Sequence, residues 1–174
     1  MPTSGEIVLF DTSAALAYVD PDNPLHGAVR VAAGSATRGL SGHAAFEFLS
    51  VLTRLPLPKR LSGEDAARLA RTEFPASRFL AETAAAGLVD EFARLGITGG
   101  VVHDGLVGAC ARSHGATLLT CDQRADETYR LLGTTYTLVN GWAVTESGLY
   151  DGSDGENTAL PAPGGSSAPE VSTG

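Results

Sequence analysis

The sequence has little of what small secreted proteins and membrane proteins depend on. It contains two cysteines, Cys110 and Cys121, among 174 residues. These are too few for a disulfide scaffold, and their spacing matches no zinc-ligand pattern. No basic N-terminal region precedes a long apolar run, and no stretch approaches the roughly 20 apolar residues of a membrane span. We therefore expect a cytoplasmic protein with no membrane segment.

Lysine is almost absent, and the excess of acidic residues is concentrated at one end of the chain. Lys59 is the only lysine among 12 basic residues, and the net charge is −8. Residues 1–139 hold 15 acids and 12 bases, a net charge of −3, whereas the remainder holds five acids and no base. Arginine favours bidentate contacts with phosphate, so the first part of the chain is compatible with a nucleic-acid partner. The charge alone does not predict one.

The composition divides the chain into two parts. Residues 1–139 have the apolar content of one globular domain, whereas residues 140–174 are rich in Gly, Ser, Pro and acids and show no hydrophobic periodicity. Segments of the second kind bury too little apolar surface to fold. We predict one folded domain over residues 1–139, followed by a disordered acidic tail over residues 140–174.

Strand-like and helix-like segments alternate within the predicted domain. Ile7–Phe10 is a short, continuous apolar run, which is typical of a strand buried on both faces. The other strands are predicted at 39–41, 78–80, 117–120 and 135–139. Strands separated by helices predict an α/β fold of three layers, with a central parallel sheet flanked by helices.

Four carboxylates stand in surroundings that are otherwise poor in charge. Asp11 and Asp122 each follow a predicted strand, Glu47 lies in an apolar helix, and Asp104 is predicted to open another helix. Ligands of parallel sheets bind beyond the carboxyl ends of the strands, so we expect these acids to meet there. Each acid alone has a simpler interpretation, as a helix N-cap (Asp11, Asp104), a solvent-facing acid (Glu47) or a loop acid (Asp122).

Carboxylates that converge on one point repel one another, and a hard divalent cation, Mg²⁺ or Mn²⁺, relieves that repulsion. Such an ion can acidify a bound water molecule and offset negative charge on a phosphate, which suits phosphodiester hydrolysis. We predict that the four acids are catalytic metal ligands, with Asp11 and Asp104 as the primary pair. The residues predicted to support the cluster are Ser13, Thr120 and Asp126. Asp126 has an alternative role as the cap of the following helix.

Four segments carry a family resemblance when they are taken in order. They are Val8–Leu16, Phe46–Leu52, His103–Ala109 and Ala116–Arg124. Together they resemble the PIN-domain family, and within it the VapC-type toxins of toxin–antitoxin pairs, over about residues 6–139. The resemblance implies a Mg²⁺- or Mn²⁺-dependent endoribonuclease that cleaves tRNA, rRNA or mRNA. It also implies a homodimer that is inhibited by a VapB-like antitoxin.

Two residues beside the third acid depart from the family pattern. His103 replaces the usual aromatic residue before Asp104, and Gly105 follows that acid, which predicts a weakened start of the helix. The His103-Asp104 pair also resembles the HD phosphohydrolases, but those need further histidine ligands on an all-helical framework. Strand-Asp-Thr-Ser resembles the haloacid dehalogenase phosphatases, but their second Asp would be Ser13 here. The remaining alternative is a catalytically silent PIN-like module that binds RNA or a protein without cutting.

Overall fold

The computed structural model describes residues 5–140, which are built around a sheet of four strands. The strands are β1 (Ile7–Phe10), β2 (Thr37–Leu40), β3 (Thr117–Thr120) and β4 (Tyr136–Leu138). Their order in the sheet is β2-β1-β3-β4, and the three pairings between neighbours are all parallel. The predicted α/β fold with a central parallel sheet is confirmed. The predicted tail lies outside the described residues, apart from Asn140.

Helices cover both faces of this sheet. In the part of the chain that the structure describes, they are α1 (Thr12–Val19), α2 (His26–Ala33), α3 (Ala44–Leu52), α4 (Gly63–Glu73), α5 (Glu82–Leu95), α6 (Val101–Ser113) and α7 (Asp126–Leu131). Neighbouring residues of a strand point to opposite faces. Val8 and Phe10 accordingly pack with α1, α2 and α4, whereas Leu9 packs with α6 and α7. The result is the predicted three-layer arrangement.

Within residues 5–140, no helix is both long enough and apolar enough to cross a membrane.

The order of the strands creates a topological switch point between β1 and β3. The chain leaves β1 towards β2 on one side, and later returns to β3 on the other side of β1. Connections that diverge in this way leave a crevice at the carboxyl ends of the two strands, where α/β proteins bind their ligands. The backbone N–H of Asp11 donates to the carbonyl of Leu119 at 3.0 Å. Asp11 is therefore held at this crevice by the neighbouring strand.

The prediction of a strand at residues 78–80 is wrong. The chain runs beside the outer edge of β2 there, but it forms only isolated bridges, between Gly39 and Pro75 and between Ser41 and Arg78. Pro75 has no N–H with which to extend a ladder of hydrogen bonds. The segment therefore covers the edge of the sheet without becoming a fifth strand.

Helix α6 begins three residues earlier than predicted. Its N-cap is Gly100, and Asp104 lies within the first turn instead of opening the helix. The prediction relied on the preference of Asp for cap positions, whereas glycine is only modestly enriched there. Because Asp104 is not the cap, its carboxylate is not needed by the backbone of the helix start.

Gly105 is a close-packing position and does not disrupt the helix. A Cβ atom at this residue would lie 2.8 Å from Cζ of Phe92 in α5. Gly105→Ala should therefore lower the free energy of unfolding by about 1–3 kcal/mol, as overpacking does, in a urea titration. Gly87→Ala is the matched control in α5, because its Cβ would meet nothing within 4 Å; it should raise stability by about 0.5–1 kcal/mol. Equal stability of Gly105→Ala and the wild type would contradict this packing.

Candidate active site

A cavity of about 510 Å³ opens at the carboxyl edge of the sheet, and all four predicted acids line it. Asp11 comes from the end of β1, Glu47 from α3, Asp104 from α6 and Asp122 from the loop after β3. These residues are distant in the sequence and belong to different elements. The fold therefore brings the four carboxylates to one cavity.

Asp11 is the most buried of the four acids, with 5% of its surface exposed. Its Oδ1 accepts hydrogen bonds from the Ser13 hydroxyl at 2.7 Å and from the Ala14 N–H at 2.8 Å, and its Oδ2 accepts from the Thr120 hydroxyl. Burial raises the pKa of Asp11 to about 6, even though these hydrogen bonds lower it. Asp11 is thus both the N-cap of α1 and a wall of the cavity, and the hydroxyls of Ser13 and Thr120 fix its orientation.

Glu47 is held by a residue that sequence reasoning missed. The Thr12 hydroxyl donates to its Oε2 at 2.7 Å. The other oxygen, Oε1, faces two imidazoles, with His43 Nε2 at 3.7 Å and His103 Nδ1 at 3.9 Å. Thr12 lies between Asp11 and Ser13 in the sequence. Its hydroxyl at the first position of α1 is the only sequence feature that could have suggested this role.

Asp104 and Asp122 have different electrostatic surroundings. Burial raises the pKa of Asp104, and the charges of Asp122 and Glu47 raise it further. Asp122 instead accepts two hydrogen bonds from the Arg124 guanidinium, at 3.0 and 2.8 Å, and this partner lowers its pKa. The site therefore combines Asp122, whose pKa is lowered, with Asp11 and Asp104, whose pKa values are raised.

The structure does not bring Asp126 to this cavity, which corrects the prediction that it extends the acidic cluster. Its carboxylate accepts hydrogen bonds from Arg130 Nε at 3.0 Å and from the Tyr136 hydroxyl. It is not the cap of α7 either, because Ala125 occupies that position. The contact with Tyr136 in β4 turns the Asp126 side chain towards the edge of the sheet.

The donor set fits a hard divalent cation. The four acids offer carboxylate oxygens, the ligands that Mg²⁺ prefers. Burial raises the pKa of Asp104, and repulsion by Asp122 and Glu47 raises it further. Tyr129 lines the same cavity, and its buried hydroxyl has no hydrogen-bond partner among the described residues. Buried polar groups are generally paired. A hydrated cation would satisfy both the repelling carboxylates and this hydroxyl.

Comparison with known proteins points to one family. The model of the PIN domain matches residues 8–131. Ribonuclease VapC27 of Mycobacterium tuberculosis is 41% identical over 123 residues, which are 71% of this chain and 90% of that protein. Ribonuclease VapC40 of Mycobacterium tuberculosis is 44% identical over 102 residues, which are 58% of this chain and 75% of that protein.

Solved structures are similar in fold, at low sequence identity. VapBC2 from Rickettsia felis, bound to a DNA fragment from its promoter, has a TM-score of 0.56 at 15% identity and covers 77% of this chain and 99% of that chain. FitAB bound to the IR36 DNA fragment has a TM-score of 0.55 at 18% identity and covers 75% of this chain and 94% of that chain. These likenesses agree with the overall fold described above.

Proposed function

Because the chain belongs to the PIN-domain family, in its VapC-type branch, we propose that it is a Mg²⁺- or Mn²⁺-dependent endoribonuclease, the toxin of a VapBC-type toxin–antitoxin pair. The observation that carries the proposal is the convergence of four carboxylates on one cavity at the switch point of the sheet. The curated relatives are named ribonucleases, and the first of them is matched over most of its length, which supports the same activity.

The proposed ligands are Asp11, Glu47, Asp104 and Asp122, with Asp11 and Asp104 as the primary pair. These two have the raised pKa values, so their ionised forms gain the most from a nearby cation. A divalent ion held there would acidify a water molecule and offset the negative charge of the reacting phosphate.

Side-chain partners keep three of these carboxylates in fixed orientations. The Thr12 hydroxyl holds Glu47, and the Arg124 guanidinium holds Asp122. Asp11 is held by two hydroxyls and a backbone N–H. Ligands oriented in advance bind an ion more tightly, and loss of such a partner typically lowers metal affinity or activity about 10- to 100-fold.

RNA is the proposed substrate, and the surface beside the acids supports it. A second cavity of about 500 Å³ shares Thr12 and Glu47 with the first, and Arg54 also lines it. Phe46 lines this second cavity with 61% of its surface exposed. Exposed aromatic rings beside cationic side chains are typical of surfaces that stack unpaired bases and contact the phosphate backbone.

The proposed partners are a VapB-like antitoxin, which inhibits the enzyme, and a second copy of the chain in a homodimer. The solved structures of similar fold are named as VapBC and FitAB assemblies, which supports an antitoxin partner. A short neighbouring gene for a small DNA-binding protein would add to this support.

Cleavage of total RNA by the purified chain tests the proposal. We expect fragmentation with Mn²⁺ or Mg²⁺, none in excess chelator, and recovery when the ion is restored. RNA binding without cleavage, by folded protein in either ion, would overturn the enzyme proposal and favour the silent binding module. Cleavage that persists in the chelator would overturn the metal-dependent chemistry.

A further inference from the structure

Two imidazoles and one carboxylate meet beside the four-acid cavity. His43 Nε2 and His103 Nδ1 lie 3.7 and 3.9 Å from the same atom, Glu47 Oε1. The three residues can each offer one ligand atom such that these atoms all lie within 4.8 Å of one another. Both distances exceed the roughly 2.7–3.2 Å of a hydrogen bond. The three groups therefore converge without being bonded to one another at this spacing.

The spacing suits a shared metal ion. Zinc binds histidine nitrogen and carboxylate oxygen at about 2.0–2.2 Å with tetrahedral geometry, so two of its ligands lie about 3.4 Å apart. The two contacts to Glu47 Oε1, at 3.7 and 3.9 Å, are within about 0.5 Å of this spacing. The imidazole rings of His43 and His103 are stacked, with centroids 4.8 Å apart and an interplanar angle of 24°. The His103 side chain is 57% exposed, which leaves it room to move closer to His43 and Glu47 around a bound ion.

The carboxylate of this cluster is already oriented. The Thr12 hydroxyl binds Glu47 Oε2 at 2.7 Å, which leaves Oε1 directed at the two imidazoles. His43 and Glu47 are one helical turn apart at the start of α3, and His103 is in α6. Ligands carried by helices, with a hydroxyl behind one of them, form a more precise site than ligands on loops.

We propose that His43, Glu47 and His103 bind a borderline-soft divalent ion of the Zn²⁺, Ni²⁺ or Co²⁺ type. Imidazole ligands favour such ions, whereas Mg²⁺ prefers the oxygen ligands of the four-acid cavity. The two sites share Glu47, so occupation of the histidine site withdraws one carboxylate from the catalytic set. Zn²⁺ therefore inhibits RNA cleavage. This consequence rests on the proposed function, whereas the binding itself does not.

Binding is tested on the full chain, stripped of metal and titrated with Co²⁺ in saturating Mg²⁺. We expect one Co²⁺ per chain, with visible d–d absorption that added Zn²⁺ abolishes. His103→Phe keeps an aromatic ring beside His43 but removes the ligand atom, and it should lower Co²⁺ affinity by at least about 10-fold. His43→Gln should do the same, and it supplies a second variant if the first does not fold.

Two further variants test whether the Co²⁺ absorption comes from this site, from another histidine or from the four acids. His114→Gln removes an exposed histidine whose ring contacts the Phe79 carbonyl, and it should bind Co²⁺ as the wild type does. Asp104→Asn alters the four-acid cavity alone and should also keep the absorption. An unchanged affinity in folded His103→Phe and His43→Gln, or a signal lost only in Asp104→Asn, would overturn the proposal.

Inhibition is read separately, as cleavage of RNA in Mg²⁺ with increasing Zn²⁺. We expect Zn²⁺ to inhibit the wild type and His114→Gln, and His103→Phe to resist it. Zn²⁺ bound at the histidine site without inhibition of an active wild type would overturn the sharing of Glu47. If the wild type cleaves no RNA at all, the proposed function fails, while the Co²⁺ titration still decides the metal site.

Discussion

Asp104→Asn should reduce metal-dependent RNA cleavage by at least about 100-fold, because even the partners of metal ligands contribute about 10- to 100-fold. The amide keeps the size of the side chain but removes the negative charge that would hold a cation between α6 and the strand ends. The pKa of Asp104 is raised by burial and by the neighbouring acids. Ionisation of Asp104 is therefore less favourable in the metal-free folded protein than in the unfolded chain, and its replacement should not destabilise the fold.

Asp126→Asn is the matched control for this loss. Asp126 carries the same side chain as Asp104, but its carboxylate binds Arg130 and Tyr136 instead of facing the cavity. Cleavage rates are to be compared in Mn²⁺ and in Mg²⁺, and RNA binding is measured for each variant in the absence of cleavage. Wild-type activity in Asp104→Asn, or equal losses in the two variants, would remove Asp104 from the proposed ligand set.

The architecture was predictable because it rests on local patterns. The apolar run of β1 and the position of an acid immediately after it require no knowledge of distant contacts, and parallel strands bring their carboxyl ends to one edge of the sheet. The same reasoning identified Asp11 and Asp122 as candidate site residues, since both follow strands. Glu47 and Asp104 were identified by a second local property, a charge within an otherwise apolar helix.

The parts that were missed depend on contacts between distant segments. Thr12 binds Glu47 across 35 residues of sequence, and no local pattern indicates that contact. The direction of Asp126 is decided by Tyr136, which is placed by the packing of β4. Similarly, the early start of α6 depends on glycine at the N-cap, which carries a weaker sequence signal than Asp.

Asp11 should make the metal-free protein less stable as the pH rises from about 4 to about 7. Its pKa is raised from 3.8 to about 6 in the folded state. Between these values Asp11 binds more protons in the folded protein than in the unfolded chain, so the stability that Asp11 contributes is fully present below pH 3.8 and is lost as the pH rises through about 6. The difference between the two pKa values corresponds to about 3 kcal/mol of unfolding free energy.

The slope of stability against pH isolates this effect better than stability at any one pH. In Asp11→Asn, the amide nitrogen replaces one of two oxygens that each accept a hydrogen bond, one from the Ser13 hydroxyl and the other from the Thr120 hydroxyl. The variant therefore also loses one of these hydrogen bonds, and it does so at every pH alike. Urea titrations from pH 4 to pH 7 in chelator should therefore show a loss of stability in the wild type and in Asp126→Asn that Asp11→Asn lacks. Mn²⁺ should flatten the wild-type slope, because an ion that binds only the folded state stabilises it most where the carboxylate is ionised. Parallel curves for the wild type and Asp11→Asn would mean that the buried carboxylate is not the group that titrates, and Asp11 would lose its place as a primary ligand.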